Sequence, residues 1–505
     1  MSCSAAWSFP ATETSDLRLY IAGSSAQDRL IEGLMRLRDD LEDIPALCAA
    51  GTLDIYQGSA GGARQRVFLC RTANAIAGVP AGKRLALFKA SGGSGDGVAP
   101  LLDHQPVPFL QQEALSDGCE GSNRVLPTGN LSAYTKHVGC QTALDLVVPD
   151  AGISDLEPAM FASNTETLEA HPVTQLVWGL PVSRNFRNAL QALQGLVPAE
   201  VPHDDPARET ADAMPMLSSA QLRSIFAGAV DRWSVFYDRD GTPITVSGLL
   251  PEPPATRRDL SGTRPGAYRP DPAHGDRVYL CRRIDSSGTQ LAYAMHYLRQ
   301  GCTELAAAFV APNDGSDETA GGDTGALVDR EAPTGAVHAG RGSSNVRRCL
   351  DYHDDHNRWA IGMLSTENVG NYLDEEYRHI RIDGYAPTLL NAHRGLWRHL
   401  STASIQWRAD RDAREGDARP AILAYLAAYL GQPAVLSNLN RAFRHPWGQG
   451  GYLGAVDATD DEVDAPVTGR YLEEHPVSGV SYTHAGAPHS CLPPMLSGPS
   501  SVNLD

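Results

Sequence analysis

Short apolar stretches of this chain repeatedly run into a glycine- or serine-rich turn, and that grammar limits the fold more than any other feature. "RLYIAGSSAQDRLIEGLMRL" reads as a strand over 18–22, a Gly/Ser turn, and a helix with Leu30, Ile31, Leu34 and Leu37 on one face. "RLALFKASGGSGDGVAPL" gives a second strand running into a turn, and "TALDLVVPDAGISDLEP" a third whose turn ends in Ser154 and Asp155. "TQLVWGLPVSRNFRNALQAL" is a strand followed by a helix, and "LSSAQLRSIFAGAVDRWSVF" a helix with a serine cap and a stop at Gly228. Strands alternating with helices predict α/β layers with parallel strands.

At 505 residues, 42% of them hydrophobic, the chain is long enough for more than one compact unit. We expect two lobes: residues 1–175 with 376–505, and residues 176–375. "RWAIGMLSTEN" and "YRHIRIDGYAP" are read as neighbouring strands that carry the chain back to the first lobe. Residues 242–276 and 312–342 lack periodicity and are read as long loops or mobile insertions. The last 75 or so residues are read as an irregular wrap. No stretch of about 18 uninterrupted apolar residues occurs. A net charge of −18 argues against a nucleic-acid partner, and any anion must be held by local geometry against an unfavourable overall field.

Nine cysteines occur without a single C-x-x-C pair, a spacing better suited to disulfides than to zinc or thioredoxin-type chemistry. The expected pairs are Cys48–Cys70, Cys119–Cys140, Cys281–Cys302 and Cys349–Cys491, with Cys3 left over. Such bridges predict an oxidising compartment, periplasmic or extracellular. Since "MSCSAAWSFP" has neither the basic stretch nor the apolar core of a signal peptide, the leader is expected to lie outside it.

The segment "CRRIDSSGTQLAYAMHYL" gathers hydrogen-bonding residues just before a helix marked by Leu291, Met295 and Leu298. The helix is expected to begin near Gly288 with Ser286 or Ser287 as its cap. Unpaired backbone N–H groups and a partial positive charge make such a start an anion site. Arg283 would offer a forked donor, Ser287 and Thr289 hydroxyl protons, and Gly288 close approach to the backbone, while Asp285 would hold Arg283 rigid. The bland alternative is an ordinary capped helix with a surface ion pair.

The spacing Arg283-x-Asp285-x-Ser287-Gly288-Thr289 resembles the signature of the phosphate-binding proteins that serve bacterial phosphate ABC transporters, two-lobed members of the periplasmic substrate-binding superfamily. "IAGSSAQ" is similar to their first phosphate loop, "GISDLEP" to their Ser/Asp loop, and "AIGMLSTEN" with "IRIDGYAPT" to their return strand and hinge. The resemblance implies that Arg283, Ser287, Gly288 and Thr289 contact phosphate oxygens and that Ser25 with the Ala26 N–H contributes from the first lobe. It also implies that Asp155 accepts the proton of bound hydrogen phosphate. Ser59 and Ser94 compete for the serine of the second phosphate loop. Extra length, loops and cysteines set the chain apart as an enlarged, disulfide-bearing relative.

Other motifs are incomplete. "GVPAGKR" at Gly78 lacks P-loop spacing, and neither Asp238-x-Asp240-Gly241 nor "DATDDEVD" near Asp457 completes a Ca²⁺ loop. "HDDHNRW" at His353 is read as a solvated turn rather than a metal site. No nucleophile elbow occurs, so no enzymatic activity, metal or cofactor is indicated. The expected function is extracytoplasmic binding of phosphate or a similar oxyanion for delivery to a membrane ABC transporter. A rival reading is a secreted structural or adhesion protein that reuses the fold and self-associates through its insertions.

Overall fold

The computed structural model describes residues 10–38, 44–60, 63–73, 76–253, 266–273, 275–313, 336–368, 375–410, 417–456, 468–484, 487–492 and 494–496. Two mixed sheets flanked by helices organise them, one of 11 strands and one of 5. In the larger sheet the strand Leu17–Ser24 runs parallel to Arg84–Gly92 on one side and to Ala151–Ser154 on the other. These strands are apolar along most of their length, as a strand covered on both faces must be. Their ends coincide, with Ser24 opposite Gly92 and Gly23 opposite Ile153, so their three turns open at one sheet edge.

Outward from Arg84–Gly92 the sheet continues as an antiparallel meander through Ala63–Arg71 and Asp54–Ala60. On the other flank Leu400–Arg408 and Leu168–Gly179 run antiparallel. The chain leaves this sheet at Leu180 for the strand Pro181–Ser183 of the smaller one. There Tyr279–Arg283 lies between parallel partners Val337–Gly340 and Ala360–Gly362. After Met363 the chain pairs briefly with Trp178 and Gly179 of the larger sheet, and Tyr377–His379 then closes the smaller one. Trp397 and Trp178 tie the crossing together: Trp397 Nε1 donates to the Trp178 carbonyl at 2.9 Å and Trp178 Nε1 to Ser401 Oγ at 2.8 Å. The core beneath the smaller sheet is built on Phe186, tilted against Trp233 and stacked on Trp359 with ring centroids 4.3 and 5.1 Å away.

Several expectations need correction. The third strand breaks in two: Leu144–Val147 pairs with Val107–Leu110, and only Ala151–Ser154 joins the main sheet. Part of 312–342 is the strand Val337–Gly340, too short to show a period and supported by its parallel neighbour; residues 254–265 and 314–335 lie outside the described set. The C-terminal wrap includes the helix Pro433–Asn440, whose Leu439 packs on Gly33 of the helix Asp28–Met35. His353 and Asp354 are buried at the end of the helix Ser343–Asp355, where Asp354 accepts the Asn185 N–H at 2.6 Å, so they are no solvated turn.

Four disulfides are present. Cys48–Cys70 and Cys119–Cys140 join as expected. Cys281, however, pairs with Cys349, and Cys302 with Cys491. Cys281 points from its strand into the face covered by the helix Ser343–Asp355, which carries Cys349, whereas Cys302 lies past the end of a helix near the C-terminal segment. Cys3 and the acidic stretch around Asp457 lie outside the described residues.

Candidate functional site

Three turns of the larger sheet converge on Asp155. Its Oδ1 accepts from Ser24 Oγ at 2.5 Å and from Gln27 Nε2 at 3.1 Å, and its Oδ2 from Ser94 Oγ at 3.1 Å. The Asp155 N–H donates back to Ser94 Oγ at 3.0 Å, and the carboxylate is 3% exposed. Ser24 also caps the turn by accepting the Ala26 N–H at 3.1 Å. Gly23, which precedes it, has φ +113 and no space for a side chain: a Cβ would lie 2.1 Å from the Ile153 carbonyl oxygen.

Beside these turns sits a charge cluster centred on the buried side chains of Asp28 and Lys89. Asp28, one residue after Gln27, meets Arg64 at 2.7 Å, Lys89 at 3.6 Å and the Ser91 hydroxyl at 2.7 Å. Burial pushes the Asp28 carboxyl up, but Arg64, Lys89 and Arg66 together hold it at about 2. Lys89, fully buried, is pulled down to about 8 by desolvation despite Asp28.

The smaller sheet supplies the facing wall. Arg283 ends the strand Tyr279–Arg283 and is 3% exposed. Its Nη1 donates to Thr289 Oγ1 at 3.1 Å and its Nη2 to the Arg341 carbonyl at 2.7 Å, both neutral acceptors. Among the described residues its Nε–H and the buried hydroxyl of Ser287 have no hydrogen-bond partner. Burial lowers the guanidinium to about 10, and the carboxylates of Asp155, Glu367 and Asp96 act in the opposite direction. The group keeps its charge at neutral pH.

The two walls touch. A Cβ on Gly288 would lie 2.1 Å from Ser94 Oγ and 2.9 Å from Asp155 Cβ, and the Gly95 N–H donates to the Ser286 carbonyl at 3.2 Å. The helix Gly288–Tyr293 begins where its sequence pattern places it, with Ser287 at the cap position but making no capping bond. Asp285 has a different role from the expected one: it binds Arg282 Nη1 at 2.9 Å and Gln290 Nε2 at 3.1 Å, not Arg283. Alternation along the strand explains this, since adjacent side chains leave on opposite faces.

The structure thus brings Asp155, Arg283, Ser287, Gly288 and Thr289 to one locus. Ser25 and Ala26 are half-buried beside it, and the hydroxyl that reaches Asp155 is that of Ser24. Of the two competing serines, Ser94 is in the site and Ser59 is exposed on an outer strand. Sequence reasoning missed Ser24, Gln27 and Glu367. The last is a buried acid raised to about 7, chiefly by desolvation, with Asn368 Nδ2 donating to it at 3.0 Å. It stands in "STEN", a segment read only as a strand.

No protein-family model and no curated protein matches the chain. Among solved structures, it aligns with a Clostridium perfringens protein assigned as a phosphate ABC transporter substrate-binding protein, determined with bound phosphate (11% identity, TM-score 0.37, 84% of this chain and 97% of that one). It also aligns with an ABC-type phosphate transport receptor from Vibrio cholerae (12%, TM-score 0.34, 81% and 98%) and a phosphate-binding protein from Stenotrophomonas maltophilia (12%, TM-score 0.34, 82% and 83%). The chain itself is an α/β protein of two mixed sheets, with a buried arginine at the end of a strand in one and a buried aspartate at a turn of the other.

Proposed function

We propose that this protein binds a tetrahedral oxyanion, inorganic phosphate by preference, between its two sheets. The observation that carries the reading is Arg283: a buried guanidinium whose bonded partners are neutral oxygens and whose Nε–H, like the Ser287 hydroxyl, lacks an acceptor among the described residues. A buried cation and two idle donors are costly in an apolar surround, and an anion satisfies all three. A carboxylate has about four lone-pair sites, and Asp155 uses three on Ser24, Gln27 and Ser94. The remaining one suits the proton of hydrogen phosphate. Sulfate carries no proton at neutral pH and would face that lone pair unpaired, a penalty of roughly 1–3 kcal/mol or more.

The four disulfides fit an extracytoplasmic location, and the physiological task in this reading is delivery of the anion to a membrane ABC transporter. Titration calorimetry of the oxidised protein with phosphate, sulfate and the Arg283→Ala variant tests it. Binding at about micromolar affinity, roughly 8 kcal/mol, is expected for phosphate, lost in the variant and not matched by sulfate. Heat silence toward both anions would end the reading.

A further inference from the structure

The helix that starts at Gly288 continues without a break, passing from α to π over Ala294–Leu298, and it meets the loops of the larger sheet at both ends. Its start packs on Ser94 and Asp155, and past its end Gly301 packs on Met160, whose Cε lies 2.9 Å from where a Cβ would stand. The next residue, Cys302, is bonded to Cys491. Cys491 belongs to a segment held on the larger sheet: the Ser490 N–H and hydroxyl bind the two Glu157 oxygens at 2.7 and 2.6 Å, and Gln175 Nε2 donates to the Val480 carbonyl at 2.7 Å. Glu157 in turn follows Asp155 by two residues.

We propose that the Cys302–Cys491 bond is a clasp that holds the two walls of the site shut. Cys48–Cys70 joins parts of the larger-sheet lobe to each other, and Cys281–Cys349 joins the smaller sheet to its own covering helix. Cys302–Cys491 instead ties the helix bearing the Arg283 turn to a segment anchored beside the Asp155 turn. A movement that lifts both ends of this helix, Gly288 from Ser94 and Gly301 from Met160, strains this bond or tears the Ser490–Glu157 contacts. The oxidised protein therefore opens rarely and releases its anion slowly. The clasp rests on these contacts alone; the statement about anion release rests also on the oxyanion reading above.

The test uses the full chain and compares wild type, C302S/C491S and, as a control that removes a disulfide elsewhere, C48S/C70S. The Gly95 amide, which donates across the cleft to the Ser286 carbonyl, is the reporter. Its hydrogen exchange should speed up at least about tenfold in C302S/C491S and not in the control. Release of radiolabelled phosphate should speed up by a similar factor. Unchanged Gly95 exchange in a folded C302S/C491S overturns the clasp. Faster Gly95 exchange without phosphate retention by either protein leaves the clasp standing and removes the oxyanion reading. If C302S/C491S does not fold, Glu157→Gln loosens the same anchor with the bond intact, and unchanged Gly95 exchange there overturns the clasp equally.

Discussion

Replacing Gly288 with alanine separates a closed cleft from an open one by the sign of its effect. Gly288 is the first residue of its helix and its φ lies outside the left-handed region, so alanine fits the backbone. On helix propensity alone the change would stabilise the protein by up to about 1 kcal/mol. In the closed structure, however, the new Cβ would stand 2.1 Å from Ser94 Oγ, 2.8 Å from Ser94 Cβ and 2.9 Å from Asp155 Cβ. These atoms have little freedom, because Ser94 both donates to the Asp155 carboxylate and accepts its N–H. Overpacking of this kind costs about 1–3 kcal/mol, which leaves a net loss of about 0–2 kcal/mol once the helix gain is subtracted. Urea unfolding with and without phosphate measures it. The companion variant Ser94→Gly removes two of the three close atoms, so the double mutant G288A/S94G should be more stable than the single effects sum to, by about 0.5–3 kcal/mol. A G288A protein more stable than wild type, or a double mutant whose stability is the plain sum of the single effects, would refute the close contact and with it the buried site.

Arg283→Ala should lower phosphate affinity by at least about 100-fold because it strips a desolvated site of its cation, and Arg283→Lys by roughly tenfold through loss of the fork; calorimetry reads both. Asp155→Asn replaces an acceptor with a group that also donates, so the preference for phosphate over sulfate should shrink by at least about tenfold in competition titrations. Glu367 is raised by burial from its ordinary 4.5 to about 7. The folded protein therefore holds this proton more tightly than the unfolded chain, and stability from this group falls as pH rises from about 4.5 to about 7, by roughly 3 kcal/mol. Urea unfolding at pH 5 and pH 7.5 should show that slope in wild type and lose it in Glu367→Gln.

What could be read in advance was local. The helix start at Gly288 and the turn bearing Asp155 follow from a strand running into glycine and serine, a pattern complete within ten or so residues. Ser24 was missed in favour of Ser25 because the strand continues to Ser24, two residues beyond where its apolar run stops, and that shift decides which hydroxyl faces inward. Asp285 was given to the wrong arginine because pairing across a turn depends on which face each side chain leaves from. The strand Val337–Gly340 is four residues whose order comes from a neighbour 57 positions earlier in register, Val337 against Leu280, and no window of sequence contains that partner. Glu367 joins the site only because the chain doubles back after Met363.

The disulfide pattern bears on how the molecule is made. A chain synthesised from its N-terminus exposes Cys281 and then Cys302 while Cys349 and Cys491 are still to come. Those two early thiols sit 21 positions apart, close to the 22 and 21 of the two native local bridges, so ring closure favours joining them first. The native partners are separated by 68 and 189 residues. Chain entropy thus favours a bond that the native pairing does not contain. Where that early bond forms, the native pairing is reached by thiol–disulfide exchange, and oxidation after the last cysteine has emerged avoids the detour.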